Sequence, residues 1–344
     1  MLRFDNDYAE GAHPRILQRL METNDEQHPG YGTDRYTSSA CKLVKKACEA
    51  PDADIHLLVG GTQTNKIVIA SILRPHEGVL SPTSGHIATH ETGAIEATGH
   101  KVLTLPTTDG KITAKQVHDY CTEHRNNGAN VHTVKPGIVY ISQPTENGTT
   151  YTKPELTALK ATCQQFELPL FIDGARLGYA LASEESDMTL PELAQLADVF
   201  YIGGTKVGAL FGEAVVILND RLKAGFRYII KQNGALLAKG RLLGLQFETL
   251  FTDNLYFDIS HAAVDFSLQI RHAFEAKGFP MQYDSITNQQ FPILPNGVLS
   301  ALSKKYSFTF WEKVDDHHSV VRFCTSWATK PEYVAELLED IKKL

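Results

Sequence analysis

The chain has 344 residues, with 33 Lys+Arg against 40 Asp+Glu and a formal net charge of −7. Hydrophobic residues make up 42% and charged residues 21%, which excludes a disordered or charge-driven coil. This length predicts one large domain and a smaller one, and the acidic balance offers no basic face to a nucleic-acid backbone.

No apolar run approaches the roughly 18 residues that span a bilayer, and the start, Met1 to Asp7, lacks the apolar stretch of a secretory signal. The five cysteines (Cys41, Cys48, Cys121, Cys163 and Cys324) are odd in number and include no CxxC pair. That usage points to buried thiols in a reducing cytoplasm, and against a disulfide framework or a zinc cluster.

Residues 1–30, rich in Gly, Pro and polar side chains, read as an N-terminal arm that wraps over other parts. Next come seven short apolar runs: Ile55–Val59, Val79–Ser81, Lys101–Leu105, Gly137–Ser142, Leu168–Ile172, Val199–Ile202 and Ala214–Leu218. Several are apolar throughout, as strands buried on both faces are. Between them, Thr113 with Gln116, Thr152 with Glu155 and Thr189 with Glu192 have capping-box spacing and mark helix starts. The alternation predicts an α/β layer with a mainly parallel, seven-stranded sheet over residues 31–250. Helical stretches follow at about 221–231, 235–252 and 255–276, then strand-like pieces around Phe291, Phe308 and Val320–Cys324 and a final amphipathic stretch, Pro331–Leu344. Residues 251–344 read as a smaller C-terminal α+β domain.

In a parallel α/β sheet the ligand crevice lies beyond the carboxyl ends of the strands, and four strand ends carry chemistry. Gly60-Gly61-Thr62-Gln63-Thr64-Asn65 leads into an apolar helix. It reads either as an anion cup of backbone N–H groups or as a tight turn, and it is neither a Walker A loop nor a GxGxxG fingerprint. Gly85-His86 and His90-Glu91 put two histidines a helical turn apart. Without a third ligand, a ring face against a planar cofactor is the sharper reading than a metal. Asp173-Gly174-Ala175-Arg176 sets a carboxylate at a buried strand end, either paired locally or aimed at a cationic ligand atom. Gly203-Gly204-Thr205-Lys206 brings a lysine flanked by glycines to the mouth of the sheet, as a solvated loop residue or as a Schiff-base nucleophile. Together these are the parts that pyridoxal phosphate needs: a phosphate cup, a ring stacker, a carboxylate on the ring nitrogen and an amine.

The chain resembles the threonine aldolases, in the β-eliminating-lyase branch of the fold-type I pyridoxal-phosphate enzymes, over nearly its whole length. Besides the four strand ends, the resemblance rests on Asp5-Asn6-Asp7-Tyr8, Pro29-Gly30-Tyr31-Gly32, the segment 141–149 and Arg322-Phe323-Cys324-Thr325-Ser326-Trp327. It implies the fold-type I transferase-like architecture and pyridoxal 5'-phosphate as cofactor. In that reading Lys206 holds the cofactor as a Schiff base, Asp173 pairs with its ring nitrogen, His86 stacks on its ring, and Gly61 and Thr62 cup its phosphate. Lys231 reaches that phosphate from a neighbouring subunit, and Arg176 and Arg322 grip the substrate carboxylate. His132 falls where some relatives carry a histidine near the substrate hydroxyl, so His86 and His132 are both candidate bases. The sequence departs from the family pattern at Phe4, where many aldolases have a serine. It also carries Pro144-Thr145-Glu146 where another branch has a histidine.

The implied activity is retro-aldol cleavage of L-threonine, L-allo-threonine or both to glycine and acetaldehyde, in a cytoplasmic homodimer or homotetramer with shared active sites. No nucleic acid, membrane or metal is expected as partner. The rivals are another β-hydroxy amino acid such as phenylserine, β-elimination or racemisation, and a catalytically silent interaction protein. A nicotinamide oxidoreductase would need the missing GxGxxG.

Overall fold

Runs that are apolar on both faces are buried only when helices cover the sheet from both sides, and the large sheet is built that way. The computed structural model describes residues 1–344. After a two-residue strand, β1 (Leu2–Arg3), come β2 (Asp54–Leu58), β3 (Glu77–Pro82), β4 (Lys101–Leu105), β5 (Lys135–Ser142), β6 (Leu170–Asp173), β7 (Val199–Gly203) and β8 (Glu213–Ile217). Strands β2 to β8 form one sheet in the order β2-β8-β7-β6-β5-β3-β4. The pairs β3–β4, β3–β5, β5–β6 and β6–β7 are parallel, while β8 runs antiparallel to both β2 and β7. Each strand begins and ends within two residues of its apolar run. Side chains alternate between two cores: Val139, Ile141, Leu170, Ile172, Phe200 and Ile202 on one face, Ile138, Tyr140, Phe171, Val199 and Tyr201 on the other.

All three predicted capping boxes form, with the threonine hydroxyl and the partner side chain exchanging bonds with each other's backbone N–H. Two helical stretches are shorter than their sequence suggests. The first breaks at Gly225, whose φ of 77° is left-handed, into a turn at Asp220–Leu222 and a helix at Phe226–Gln232. The second becomes helical only at Arg241 and runs to Leu250. The arm holds an unexpected helix, Pro14–Glu22, started by proline in its first turn.

The C-terminal part adds β9 (Gln289–Gln290), β10 (Ile293–Pro295), β11 (Tyr306–Ser307), β12 (Thr309–Lys313) and β13 (His318–Cys324). Strands β10, β12 and β9 each pair antiparallel with β13, and β1 pairs with β11. The long helix Leu255–Ala276 joins two cores: Leu255, Tyr256, Ala263 and Val264 pack in the large one, Ile270 and Phe274 in a third with Val334, Leu337 and Ile341.

Thr152→Ala and Thr189→Ala each remove a hydroxyl cap and are expected to destabilise the protein by about 1 kcal/mol, read as a lower midpoint in urea at unchanged slope. An unchanged midpoint in both would show that these helix ends are held by tertiary packing alone.

Candidate active site

Asp173 ends β6, and Lys206 lies three residues beyond the end of the adjacent β7. Backbone contact draws the two turns together. The Gly203 N–H donates to the Gly174 carbonyl at 2.9 Å. A Cβ on Gly174 would overlap the Tyr201 carbonyl, and one on Gly203 the Ala175 carbonyl, so only glycine allows the approach. The loop bearing Lys206 closes on itself through Gly204 and Thr205 N–H bonds to the Gly212 carbonyl. Its position is pinned by the Tyr179 hydroxyl, which donates to the Lys206 carbonyl at 2.6 Å.

Asp173 is buried and accepts four hydrogen bonds. The Tyr201 hydroxyl and the Ala175 N–H (3.0 Å) reach Oδ1; the Tyr140 hydroxyl (2.6 Å) and the Asn65 amide (3.0 Å) reach Oδ2. The same Asn65 amide donates to Glu91 Oε1 at 2.7 Å, and Glu91 Oε1 is also 2.7 Å from His86 Nδ1. His86, Glu91, Asn65 and Asp173 thus form one continuous chain of polar contacts. Burial opposes charge on His86, but the Glu91 hydrogen bond and the nearby Glu146, Asp173 and Glu91 charges outweigh it and raise its pKa above 6.5.

The helix Gly61–Ile72 begins at Gly60 with no side-chain cap, so its first-turn N–H groups remain free for an anion. Thr64 Oγ1, Asn65 Oδ1 and Glu91 Oε2 are buried without hydrogen-bond partners. An uncapped helix start, buried polar atoms awaiting partners, a strand-end carboxylate and a nearby lysine fit pyridoxal phosphate in charge and chemistry.

Both arginines are already engaged. Arg176 and Asp7 are buried and form a two-point ion pair, Nε to Oδ2 at 2.6 Å and Nη2 to Oδ1 at 3.0 Å; Glu146 lies 3.9 Å from Nη1. Burial works against charge on Asp7, but Arg176 and Lys206 prevail and hold it well below the usual carboxylate range. Asn288 also donates to Asp7, at 3.0 Å. Arg322 donates to Gln289 Oε1 at 3.0 Å and to the Asp5 carbonyl at 2.9 Å, while its Nε is buried and unpartnered. Phe4 turns away from this cluster into the third core, beside Tyr306 and Phe323.

One sequence candidate lies apart, and another is exposed. His132 corrects the expectation of a second base in the same site: it sits exposed in the turn before the amino end of β5, whereas Ser142 at the other end pairs with Asp173. An eight-residue strand carries the chain roughly 25 Å from end to end. Lys231 is exposed on the helix Phe226–Gln232, its amine 4.6 Å from the centre of the Tyr31 ring.

The sequence reading assigned no role to Asp7, Asn65, Glu91, Tyr140, Tyr201 or Glu213, although Asp7, Asn65 and Glu91 lie inside quoted motifs. Glu213 is wholly buried at the start of β8, accepts the Gly204 N–H, and is driven above the usual carboxylate range by burial. The signal for the tyrosines was their alternation: Tyr140 and Tyr201 share a sheet face with Phe171, two residues before Asp173.

In the cofactor-free protein His86 is expected to titrate above 6.5, and Glu91→Gln to bring that value down. Because the folded value is the higher, this contribution to stability is complete below 6.5 and is lost as pH rises through the folded value. Ring-proton NMR titration of the two proteins tests this; identical titrations would refute the coupling.

A family model described as β-eliminating lyase matches residues 11–299. The low specificity L-threonine aldolase of a Pseudomonas species is 30% identical over 99% of this chain and 97% of its own length. That of Pseudomonas aeruginosa is 29% identical over the same shares. Among solved structures, the threonine aldolase of Leishmania major is 45% identical, covers 100% of this chain and 99% of its own, and superposes with a TM-score of 0.96. A putative histidinol-phosphate aminotransferase from Erwinia carotovora superposes with a TM-score of 0.70 at 13% identity, covering 99% and 95%, and shares the fold. The chain belongs to the β-eliminating lyase family and, within it, to the threonine aldolases.

Proposed function

We propose that the protein cleaves L-threonine, L-allo-threonine or both to glycine and acetaldehyde with pyridoxal phosphate as cofactor. The family is pyridoxal-phosphate dependent. The observation that carries the reading is the backbone contact of Gly174 with Gly203, which sets a fully satisfied carboxylate beside a lysine at the mouth of the sheet. When bound, the cofactor supplies an aldehyde for the substrate amine and a ring that accepts the electron pair left by Cα–Cβ cleavage.

The chain's own groups do the rest. Lys206 supplies the amine that holds the cofactor between turnovers. Asp173 keeps a proton on the ring nitrogen. Thr62 and the free N–H groups at Gly61 hold the phosphate, and His86 lies against the ring. Arg322 and Arg176 hold the substrate carboxylate, Arg176 through the Nη1 edge that Asp7 leaves available. In its neutral form, with Nδ1–H donated to Glu91, His86 would offer a lone pair on Nε2 to receive the β-hydroxyl proton as the Cα–Cβ bond breaks and the aldehyde departs.

The reading extends to assembly and location. Lys231, exposed beside the exposed Tyr31, is suited to reach the phosphate of a second copy, in a dimer or tetramer with shared sites. Five unpaired cysteines favour the cytoplasm, and no helix is long and apolar enough to cross a membrane.

The test is a product assay with each diastereomer. Equimolar glycine and acetaldehyde are expected, and none from Lys206→Ala. No aldehyde from either substrate by the cofactor-loaded protein would reject threonine and turn the search to other β-hydroxy amino acids. Asp173→Asn should cut kcat while some cofactor stays bound. Arg322→Ala should raise KM about tenfold or more, the loss of one or two charge-assisted hydrogen bonds; an unchanged KM would reject its assignment.

A further inference from the structure

A carboxylate offers about four lone-pair positions to donors. On Asp173 four protein donors already occupy them: Tyr201 and the Ala175 N–H on one oxygen, Tyr140 and Asn65 on the other. Two of these are neutral phenols brought in from the flanking strands β5 and β7, and both side chains are buried. Tyr201 serves no other hydrogen-bond partner. Tyr140 has only the distant Ser142 hydroxyl, at 3.3 Å, as a second one. Two large aromatic side chains thus direct their polar ends to a single carboxylate, on the side of the sheet where Gly61 sits 3.2 Å, at its missing Cβ, from the Tyr201 hydroxyl.

We infer that Tyr140 and Tyr201 are positioning residues that set how strongly Asp173 holds the proton it shares with the cofactor's ring nitrogen, and so how fully that nitrogen stays protonated. The inference rests on the reading that pyridoxal phosphate binds with its ring nitrogen at Asp173. Burial first, and then the Asp173 charge, push both phenols well above their ordinary value, so each keeps its proton and donates throughout. Every hydrogen bond donated to the carboxylate stabilises its ionised form. The proton between ring nitrogen and carboxylate then stays on the nitrogen, where it draws electron density from the ring. Removing a hydroxyl takes away one of those donors and moves that proton from the nitrogen towards Asp173.

Asn65 differs from the tyrosines. Its amide is shared with Glu91, so it has a second acceptor to keep if the ring nitrogen displaces it from Asp173. The tyrosines have no comparable alternative, and they remain the fixed donors.

The experiment uses holoprotein loaded with pyridoxal phosphate labelled with 15N at the ring nitrogen, in wild type, Tyr140→Phe, Tyr201→Phe and the double variant. Tyr151→Phe serves as the control, because that buried hydroxyl accepts the Ile112 N–H and donates nothing to Asp173. Each single variant is expected to move the nitrogen signal from the protonated towards the unprotonated pyridine position. A lost hydrogen bond to a charged group corresponds to about tenfold in the proton's partition. The double variant should move it further, and Tyr151→Phe should leave it at the wild-type value. A wild-type protein that takes up no pyridoxal phosphate overturns the proposed function and this inference with it. A wild type that loads, with the signal unmoved in both single variants and the double, overturns this inference alone. A shift of equal size in Tyr151→Phe also overturns it, since general loosening of the core would then account for the change.

Discussion

A carboxylate at the end of an interior strand loses its water when the sheet closes, and an unpaired charge there is unfavourable by several kcal/mol. Asp173 recovers its partners from three donors on neighbouring segments and from the Ala175 N–H of its own turn. That requirement shapes what lies around it. It accounts for tyrosines at two positions inside otherwise apolar strands, and for an asparagine wholly buried in the first turns of the helix Gly61–Ile72. It also ties in Glu91, which has no exposed side-chain surface and shares the Asn65 amide with Asp173. His86 is the outer end of the same chain of contacts, so its orientation and its charge preference depend on Glu91 beside it and, through Asn65, on a carboxylate three contacts away.

The arginine cluster follows a different logic. Arg176 and Asp7 are both buried, and a buried pair contributes less to stability than its geometry suggests, while loss of one partner is strongly destabilising. The pair therefore acts chiefly to fix orientation. Asp7 takes Nε and Nη2 and leaves the remaining edge of the guanidinium, near Glu146, as the part still free to act. Arg322 is steadied by Gln289 and by the Asp5 carbonyl, so residues 5 and 7 of the arm each hold one arginine. The arm is joined to the C-terminal part by the β1–β11 pairing and by Phe4 in its core. In this chain Phe4 anchors the arm, and neighbouring polar groups do the holding.

Much of the fold was legible because its signals are local. Short apolar runs, several of them followed directly by Gly or Pro, marked each strand of the large sheet to within two residues, and the threonine caps marked helix starts that form as read. Helix ends were less legible. Gly225 interrupts a run whose composition favours helix, and one left-handed residue outweighs several turns of propensity. The antiparallel course of β8 was also hidden, since an apolar run looks the same in either direction.

The sequence by itself determined the fold class, the strand-end positions of His86, Asp173 and Lys206, and the chemistry they share, because each follows from a residue type beside a short motif. Only the tertiary structure decided which side chains serve them. Tyr140, Tyr201 and Asn65 meet Asp173 across separations of 33, 28 and 108 residues, and Asp7 meets Arg176 across 169. His132 was set apart in the same way, by the length of a strand. Contacts of that kind depend on strand order and register, which arise from packing the whole sheet and leave no mark in any single stretch of chain.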